Sequence, residues 1–166
     1  MVGNILHNIK MSNNGIKTSF WGPHAWGFLF SIIAGVYPIK LNRANKDHMK
    51  IVKSVQSTLK ALEHTLPCGY CRCSYKEYIR DLPLKDYEQS RMSMMRWLYL
   101  LHDKVNKKLM NQELESLQIE KEKLKAKRLT PTQMKKELQQ IKSKIIKTKA
   151  SPPFERVVAM YEAQRA

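Results

Sequence analysis

The stretch Leu66-Pro67-Cys68-Gly69-Tyr70-Cys71-Arg72-Cys73 decides how this chain is divided into helices. Pro67 has no backbone N–H and clashes with the preceding turn, so a helix that approaches it is expected to end there. A new helix is expected to begin at the cysteines and to run to about Arg80. All three cysteines of the chain therefore lie in the first turns of one predicted helix.

The position of the cysteines predicts local sulfur chemistry. They fall within six residues, so they cannot close a long loop that would restrict the unfolded chain. Cys68 and Cys71 have the Cys-x-x-Cys spacing of a dithiol that can close into a small disulfide. At a helix N-terminus, unpaired N–H groups favour thiolate over thiol, which promotes nucleophilic attack and thiol–disulfide exchange.

Two other interpretations fit the same residues. Zinc sites use the same spacing, and four possible ligands are present: His64, Cys68, Cys71 and Cys73. Such a site would belong to a small zinc-stabilised binding module. Cysteine is also often just a small buried hydrophobic residue. The spacing alone leaves redox, zinc and structural roles open.

Hydrophobic periodicity outward from the cysteines predicts a bundle of helices over residues 19–109. The first helix is expected from Pro23 to about Tyr37, and it is apolar nearly all round, as in a helix buried on several sides. A second helix is expected over Asn45–His64 and a fourth over Asp86–Leu109. The cysteine helix is the third of these four.

The remaining segments differ in composition from the bundle. Residues 1–18 show little apolar periodicity and are expected to form a mobile arm. Residues 110–150 contain no aromatic side chain and are rich in Lys, Glu and Gln; two amphipathic pieces joined at Thr130-Pro131 predict an inserted antiparallel helical hairpin. Apolar residues at i, i+3, i+4 and i+7 predict that residues 151–166 return as a final core-facing helix.

The charge of the chain limits its partners without selecting one. The formal net charge is +16 at neutral pH, so nucleic acid, an acidic protein or anionic lipid are candidate surface partners. A basic nucleic-acid-binding helical module is therefore an alternative function, although residues 110–150 lack aromatic side chains for base stacking. No stretch approaches ~18 uninterrupted apolar residues, and the amino end lacks the features of a secretory signal, so neither a membrane span nor export is expected.

Three segments, in this order, resemble the Erv/ALR family of FAD-dependent sulfhydryl oxidases. They are Trp21-Gly22-Pro23-His24-Ala25-Trp26, Leu66-Pro67-Cys68-Gly69-Tyr70-Cys71, and Trp97–Leu109. The resemblance covers about residues 20–109 and resumes at 154–161. It implies an all-α fold, a four-helix bundle plus a short fifth helix around FAD, with the helical hairpin as an insertion.

The resemblance assigns roles to the cysteine pair. Cys68 would be the exposed interchange sulfur that a substrate thiolate attacks, and Cys71 the sulfur beside the flavin. Thiol-containing substrate proteins would pass two electrons to the pair, and O2 would reoxidise the flavin to give H2O2. Cys73 stands at an unusual position, and three roles are open for it: an inert core thiol, which we favour, a link to a second subunit, or a regulator.

The resemblance also implies cofactor contacts. His102 and Asn106 are four residues apart, so they share one helix face on which their polar edges can meet a nucleotide. Lys108 matches a basic residue that can reach the diphosphate. Phe30 stands where many members carry a histidine, and Asp103 where Asn is common. The implied FAD contacts are Gly22, Trp26, His102, Val105, Asn106, Lys108 and Tyr161.

Partners and location follow from the same resemblance. Family members usually form symmetric homodimers through the first helices, so a homodimer is expected here. No second Cys-x-x-Cys is present to relay electrons, so substrate thiols would reach Cys68 directly or through Cys73. This compact layout resembles members carried by large DNA viruses, which implies a cytoplasmic protein, at a viral assembly site or in the virion.

Overall fold

The computed structural model describes residues 15–127, 129–142 and 148–165, and every element within these ranges is a helix, which confirms the all-α prediction. In chain order, they are α1 (Thr18–Val36), α2 (Lys46–Thr65), α3 (Gly69–Asp81), a 3-10 turn (Leu84–Tyr87), α4 (Arg91–Lys125), α5 (Pro131–Lys142) and α6 (Phe154–Glu162). Within these ranges, no helix combines the length and apolar character needed to cross a bilayer.

The chain divides into two compact units. The first comprises residues up to Leu98 together with residues from Met160 onward, and the second comprises Tyr99–Ala159. Helices α4 and α6 each contribute residues to both units. The domain boundaries expected at residues 109/110 and 150/151 stay a prediction.

Two predicted helix boundaries are wrong. The fourth helix was expected over Asp86–Leu109, but Asp86 lies in the 3-10 turn, and α4 begins at Arg91. The Ser90 hydroxyl accepts a hydrogen bond from the Ser93 N–H, which stabilises this later start. Because residues 110–125 contain neither Gly nor Pro, α4 continues through them without a break.

Helix α1 also begins earlier than Pro23, at Thr18. Pro23 has no N–H, so the carbonyl group of Ser19, four residues earlier, lacks its helical hydrogen-bond donor. Both residues are exposed, so water can donate to that carbonyl group instead. Gly15–Thr18 of the expected mobile arm is therefore ordered, and residues 1–14 lie outside the described residues. The predicted second and third helices are confirmed to within a residue or two.

The core of the first unit consists of apolar side chains from the inner faces of α1, α2 and α4. Two aromatic side chains within it donate hydrogen bonds to backbone carbonyls: Trp97 Nε1 to Leu82 O at 2.7 Å, and Tyr75 Oη to Leu59 O at 2.6 Å. The Tyr75 bond joins α3 to α2. Fully buried or nearly so are Ile33, Val52, Leu59, Met94, Met95, Trp97 and Leu98.

The second unit shows how the chain returns after α4. Thr130 and Gln133 form the predicted capping box at α5, with the Gln133 N–H donating to Thr130 Oγ1 at 3.3 Å. Thr148 Oγ1 donates to Glu113 Oε1 at 2.7 Å, so the chain after α5 comes back alongside α4. The Tyr99 ring then meets Phe154 edge-on, with centroids 5.4 Å apart, at the start of α6.

The buried Trp97 hydrogen bond gives a test of this core. Trp97→Phe removes the indole N–H, leaves the Leu82 carbonyl without its donor and opens a cavity, so we expect a loss of about 2 kcal/mol in the free energy of unfolding. Urea denaturation followed by circular dichroism measures this loss. The control Ile39→Thr, at a side chain 74% exposed, should change stability by less than about 0.5 kcal/mol. If the two variants were equally stable, the stabilising role of the buried Trp97 side chain would be contradicted.

Candidate functional site

Cys68 is the N-cap of α3, as its place after Pro67 predicts. Its backbone is extended, and its Sγ accepts a hydrogen bond from the Cys71 N–H at 3.3 Å. A side-chain acceptor at this position satisfies one of the N–H groups that the first turn leaves without helical partners. Both sulfurs therefore lie at the amino end of α3, where the helix dipole favours negative charge.

Both cysteine side chains are available for redox chemistry at this helix end. All three cysteines are thiols in the structure, and the Cys71 side chain hydrogen bonds to the Cys68 sulfur. Burial raises the pKa of the Cys68 thiol. Hydrogen bonds from Cys71 and from the Thr18 hydroxyl lower this pKa by more than burial raises it, so it lies below that of an ordinary cysteine. The site thus has two thiols at one helix end, one of which ionises more readily than usual.

An N-terminal segment that the sequence assigned to a mobile arm lies against this site. Gly15 forms an antiparallel bridge with Cys68, and the Ile16 N–H donates to Pro67 O at 3.0 Å. Gly15 has φ +89°, and a Cβ there would lie 1.8 Å from Pro67 O, so only glycine fits. Three residues later, Thr18 Oγ1 lies 3.7 Å from Cys71 Sγ.

The exposure of the cysteines differs from the expectation. Cys68, expected to be the exposed sulfur, is only 6% exposed, while Cys71 is half-buried. Cys68 is the N-cap at the amino end of α3, and Gly15 pairs with its backbone there. Cys73, expected in the core, is exposed because it follows Cys71 by two residues, or about 200° around the helix.

The alternative zinc site does not form. The exposed His64 side chain pairs with Glu63 at 2.8 Å, away from any metal cluster. Among the residues that the structure describes, no group of three or more His, Cys, Asp or Glu side chains is arranged to hold a metal ion.

Three of the expected cofactor residues belong to the first unit. Gly22 is buried within α1, and Trp26 and Tyr161 are half-buried. The Tyr161 ring stacks on Phe30, with centroids 5.3 Å apart and an interplanar angle of 22°. Phe30 is 3% exposed, so the residue that stands in place of a histidine makes an aromatic contact instead. Sequence patterns do not predict this pair, because its members are far apart along the chain.

The other four expected cofactor residues, His102, Val105, Asn106 and Lys108, lie half-buried on α4 in the second unit. Burial lowers the pKa of His102, an effect that Asp103 partly opposes, so its imidazole is neutral at pH 7 and offers one donor and one acceptor. Asn106 Nδ2 donates to Ser151 Oγ at 3.0 Å, and Asp103 pairs with Lys107 at 2.7 Å.

Comparisons with known proteins agree on one family. A model of the Erv1 / Alr family matches residues 23–125. The mitochondrial FAD-linked sulfhydryl oxidase ERV1 of Saccharomyces cerevisiae is 33% identical over 88 residues, which are 53% of this chain and 42% of that protein. This chain thus spans less than half the length of that relative. The crystal structure of the yeast Erv1 core is 26% identical, covers 66% of this chain and 82% of that one, and gives a TM-score of 0.48.

Proposed function

The chain belongs to the Erv1 / Alr family, and from this premise we propose that it is an FAD-linked thiol oxidase that forms disulfide bonds in substrate proteins. The observation that carries the proposal is the hydrogen bond from the Cys71 N–H to Cys68 Sγ, which places both cysteines at the amino end of α3. A zinc-stabilised module has no support among the described residues, because its four ligands do not come together. Cytoplasmic location and a viral origin stay predictions.

Thiol–disulfide exchange is the chemistry that the pair would perform. With Cys68 and Cys71 joined as a disulfide, a substrate thiolate attacks Cys68, and Cys71 leaves as a thiolate. A second substrate thiolate then attacks the substrate sulfur of the mixed disulfide, which releases Cys68 and completes the substrate disulfide. Two thiols of the substrate thus lose two electrons and two protons. The disulfide of the enzyme gains both electrons and becomes the reduced pair.

The helix end at the cysteines supports this exchange, whereas the burial of Cys68 does not. The amino end of α3 stabilises each departing thiolate, so both cysteines are good leaving groups. Cys68 is buried, and Gly15 pairs with its backbone, so the exposure expected of an interchange sulfur is not what the structure shows. The role of Cys68 as interchange sulfur is therefore part of the proposal.

FAD, when bound, would accept the two electrons of the reduced pair and deliver them to O2, forming H2O2. The expected contact residues in each unit have chemistry that suits part of a flavin nucleotide: those of the first unit include aromatic rings, and those of the second unit include a neutral imidazole, an amide and a lysine. Trp26 and Tyr161 supply the rings, and Lys108 supplies a cation for the diphosphate. We assign contacts with FAD to Gly22, Trp26, His102, Val105, Asn106, Lys108 and Tyr161.

The proposal also includes a homodimer that forms through α1. Phe20 and Phe28 are 73% and 65% exposed, and they lie within about 80° of each other around the helix. The exposed His24 lies between them on this face, and the small residues Gly27 and Ser31 lie beside the patch, where they would let a second backbone approach closely. Exposed aromatic rings beside small residues favour a symmetric contact between two copies of α1.

Flavin content tests the cofactor assignment. The purified protein should be yellow, with an absorption band at about 450 nm, and His102→Ala should raise the Kd for FAD about tenfold through loss of its hydrogen bonds. Protein that has been unfolded to release its flavin and then refolded is titrated with FAD, which measures this Kd. His64→Ala, at an exposed histidine, is the matched control and should keep the flavin. A colourless protein that carries one zinc per chain would contradict the assignment.

Cysteine variants test the redox pair. Cys68→Ser and Cys71→Ser should each reduce dithiol-dependent oxygen consumption to background, because neither can form the disulfide that accepts electrons. Cys73→Ser is the control and should retain most of the activity, since Cys73 is exposed and lies outside the pair. In Cys71→Ser, a substrate thiol should remain trapped at position 68 as a mixed disulfide after oxidation, as mass spectrometry would detect. Trapping only at position 71 in Cys68→Ser would reverse the assigned roles.

Sedimentation analysis tests the dimer. Phe28→Asp introduces a charge into the proposed α1 contact and should shift the protein from dimer to monomer, because a buried unpaired carboxylate is strongly unfavourable. Ile39→Asp places the same charge at an equally exposed residue outside α1 and should leave the dimer intact. A wild-type protein that sediments as a monomer at micromolar concentration would refute this part of the proposal.

A further inference from the structure

We propose that Thr18 is a further catalytic residue, whose hydroxyl group donates a hydrogen bond to the thiolate of the Cys68–Cys71 pair. Its role in turnover rests on the proposed oxidase function, but its effect on the two thiols does not. Neither the cysteine spacing nor the expected cofactor contacts pointed to this residue. It lies 53 positions before Cys71 in the sequence.

The geometry places the Thr18 hydroxyl beside the Cys71 sulfur. Thr18 Oγ1 lies 3.7 Å from Cys71 Sγ, within hydrogen-bond distance for sulfur, and a hydrogen bond from Thr18 is also among the causes that lower the pKa of Cys68. When either sulfur is a thiolate, it can only accept, so the hydroxyl must be the donor. Rotation about the Cβ–Oγ bond lets one O–H turn toward whichever sulfur carries the charge.

This contact acts at the step where the active-site disulfide opens. As a substrate sulfur bonds to Cys68, the electron pair of the Cys68–Cys71 bond moves to Cys71, which leaves as a thiolate. The Thr18 O–H would stabilise that charge, and it would then stabilise Cys68 when the second substrate thiol releases it. No oxidant beyond the disulfide itself is needed for either step.

The segment before α1 holds Thr18 at this position. Gly15 fits against Pro67 O without room for a Cβ, and the Ile16 N–H donates to the same carbonyl at 3.0 Å. Trp21 Nε1 donates to Ile16 O at 3.1 Å, which ties the segment back to α1. The residue that precedes Cys68 thus anchors the segment that carries the hydroxyl.

Hydrogen bonds and burial, rather than charged neighbours, set the ionisation of Cys68. Burial raises the pKa of its thiol, and the lowering contributions come from hydrogen bonds of Cys71, Thr18 and Tyr70. The cationic residues next to the site in sequence are Lys17, which precedes Thr18, and Arg72, which follows Cys68 by four residues and whose guanidinium is bonded to Leu66 O at 2.6 Å. Loss of the Thr18 hydroxyl should therefore change the pKa directly.

The experiment compares near-isosteric variants in a Cys73→Ser background, so that only the pair reacts. The anaerobically reduced full chain is alkylated with iodoacetamide from pH 5 to 10, and mass spectrometry assigns the modified cysteine. Thr18→Val keeps the shape and loses the hydroxyl, so its pH midpoint should rise by about one unit, a roughly tenfold loss of thiolate at neutral pH. Thr18→Ser keeps the hydroxyl and should retain the wild-type midpoint.

Gly15→Ala provides a second variant that leaves the hydroxyl in place. The added Cβ would displace the segment from Pro67, so the midpoint should rise as it does in Thr18→Val. An unchanged midpoint in folded Thr18→Val would overturn the proposal, as would Thr18→Ser shifting as far as Thr18→Val. Because alkylation needs neither flavin nor oxygen, these outcomes are separate from a failure of the oxidase assignment, which oxygen consumption and flavin content report.

Discussion

The hydrogen bond from the Cys71 N–H to Cys68 Sγ is the interaction on which the site depends. It makes Cys68 the cap of α3, and so one bond both begins the helix and places both cysteines at its amino end. Pro67 makes this start possible, because it ends α2 and sets an extended backbone before the cysteine. A dithiol built into a helix N-terminus has its thiolates stabilised before any substrate arrives.

The rest of the first unit keeps the start of α3 in place. The Tyr75 hydroxyl joins α3 to the Leu59 carbonyl of α2, and Trp97 holds the Leu82 carbonyl at the end of α3. Arg72 donates to Leu66 O, just before the cysteines. Each of these side chains bonds a backbone carbonyl, so the chain path around the sulfurs is fixed at both ends of the helix.

At two positions the residue differs from the one that the family resemblance implies, and the residue present makes other contacts. Phe30 takes the place of a polar histidine, and it stacks on Tyr161, whose position at the end of the chain is set further by Arg165 bonding to Ala34 O. Asp103 takes the place of Asn, and its carboxylate pairs with Lys107 while leaving His102 neutral. The substitutions therefore change the contacts at these positions without leaving buried side-chain polar atoms unsatisfied among the described residues.

The order and type of the helices, the break at Pro67 and the location of the cysteines were predictable from sequence, because periodicity, proline and capping act over a few neighbouring residues. The helix starts at Thr18 and Arg91 were missed, since such boundaries depend on exposure and on local caps. Which cysteine is buried, the Phe30–Tyr161 stack, and the approach of Gly15 and Thr18 to the cysteines were decided by tertiary structure alone. Those contacts join residues far apart along the chain, and only the packing of helices against one another determines which of them meet.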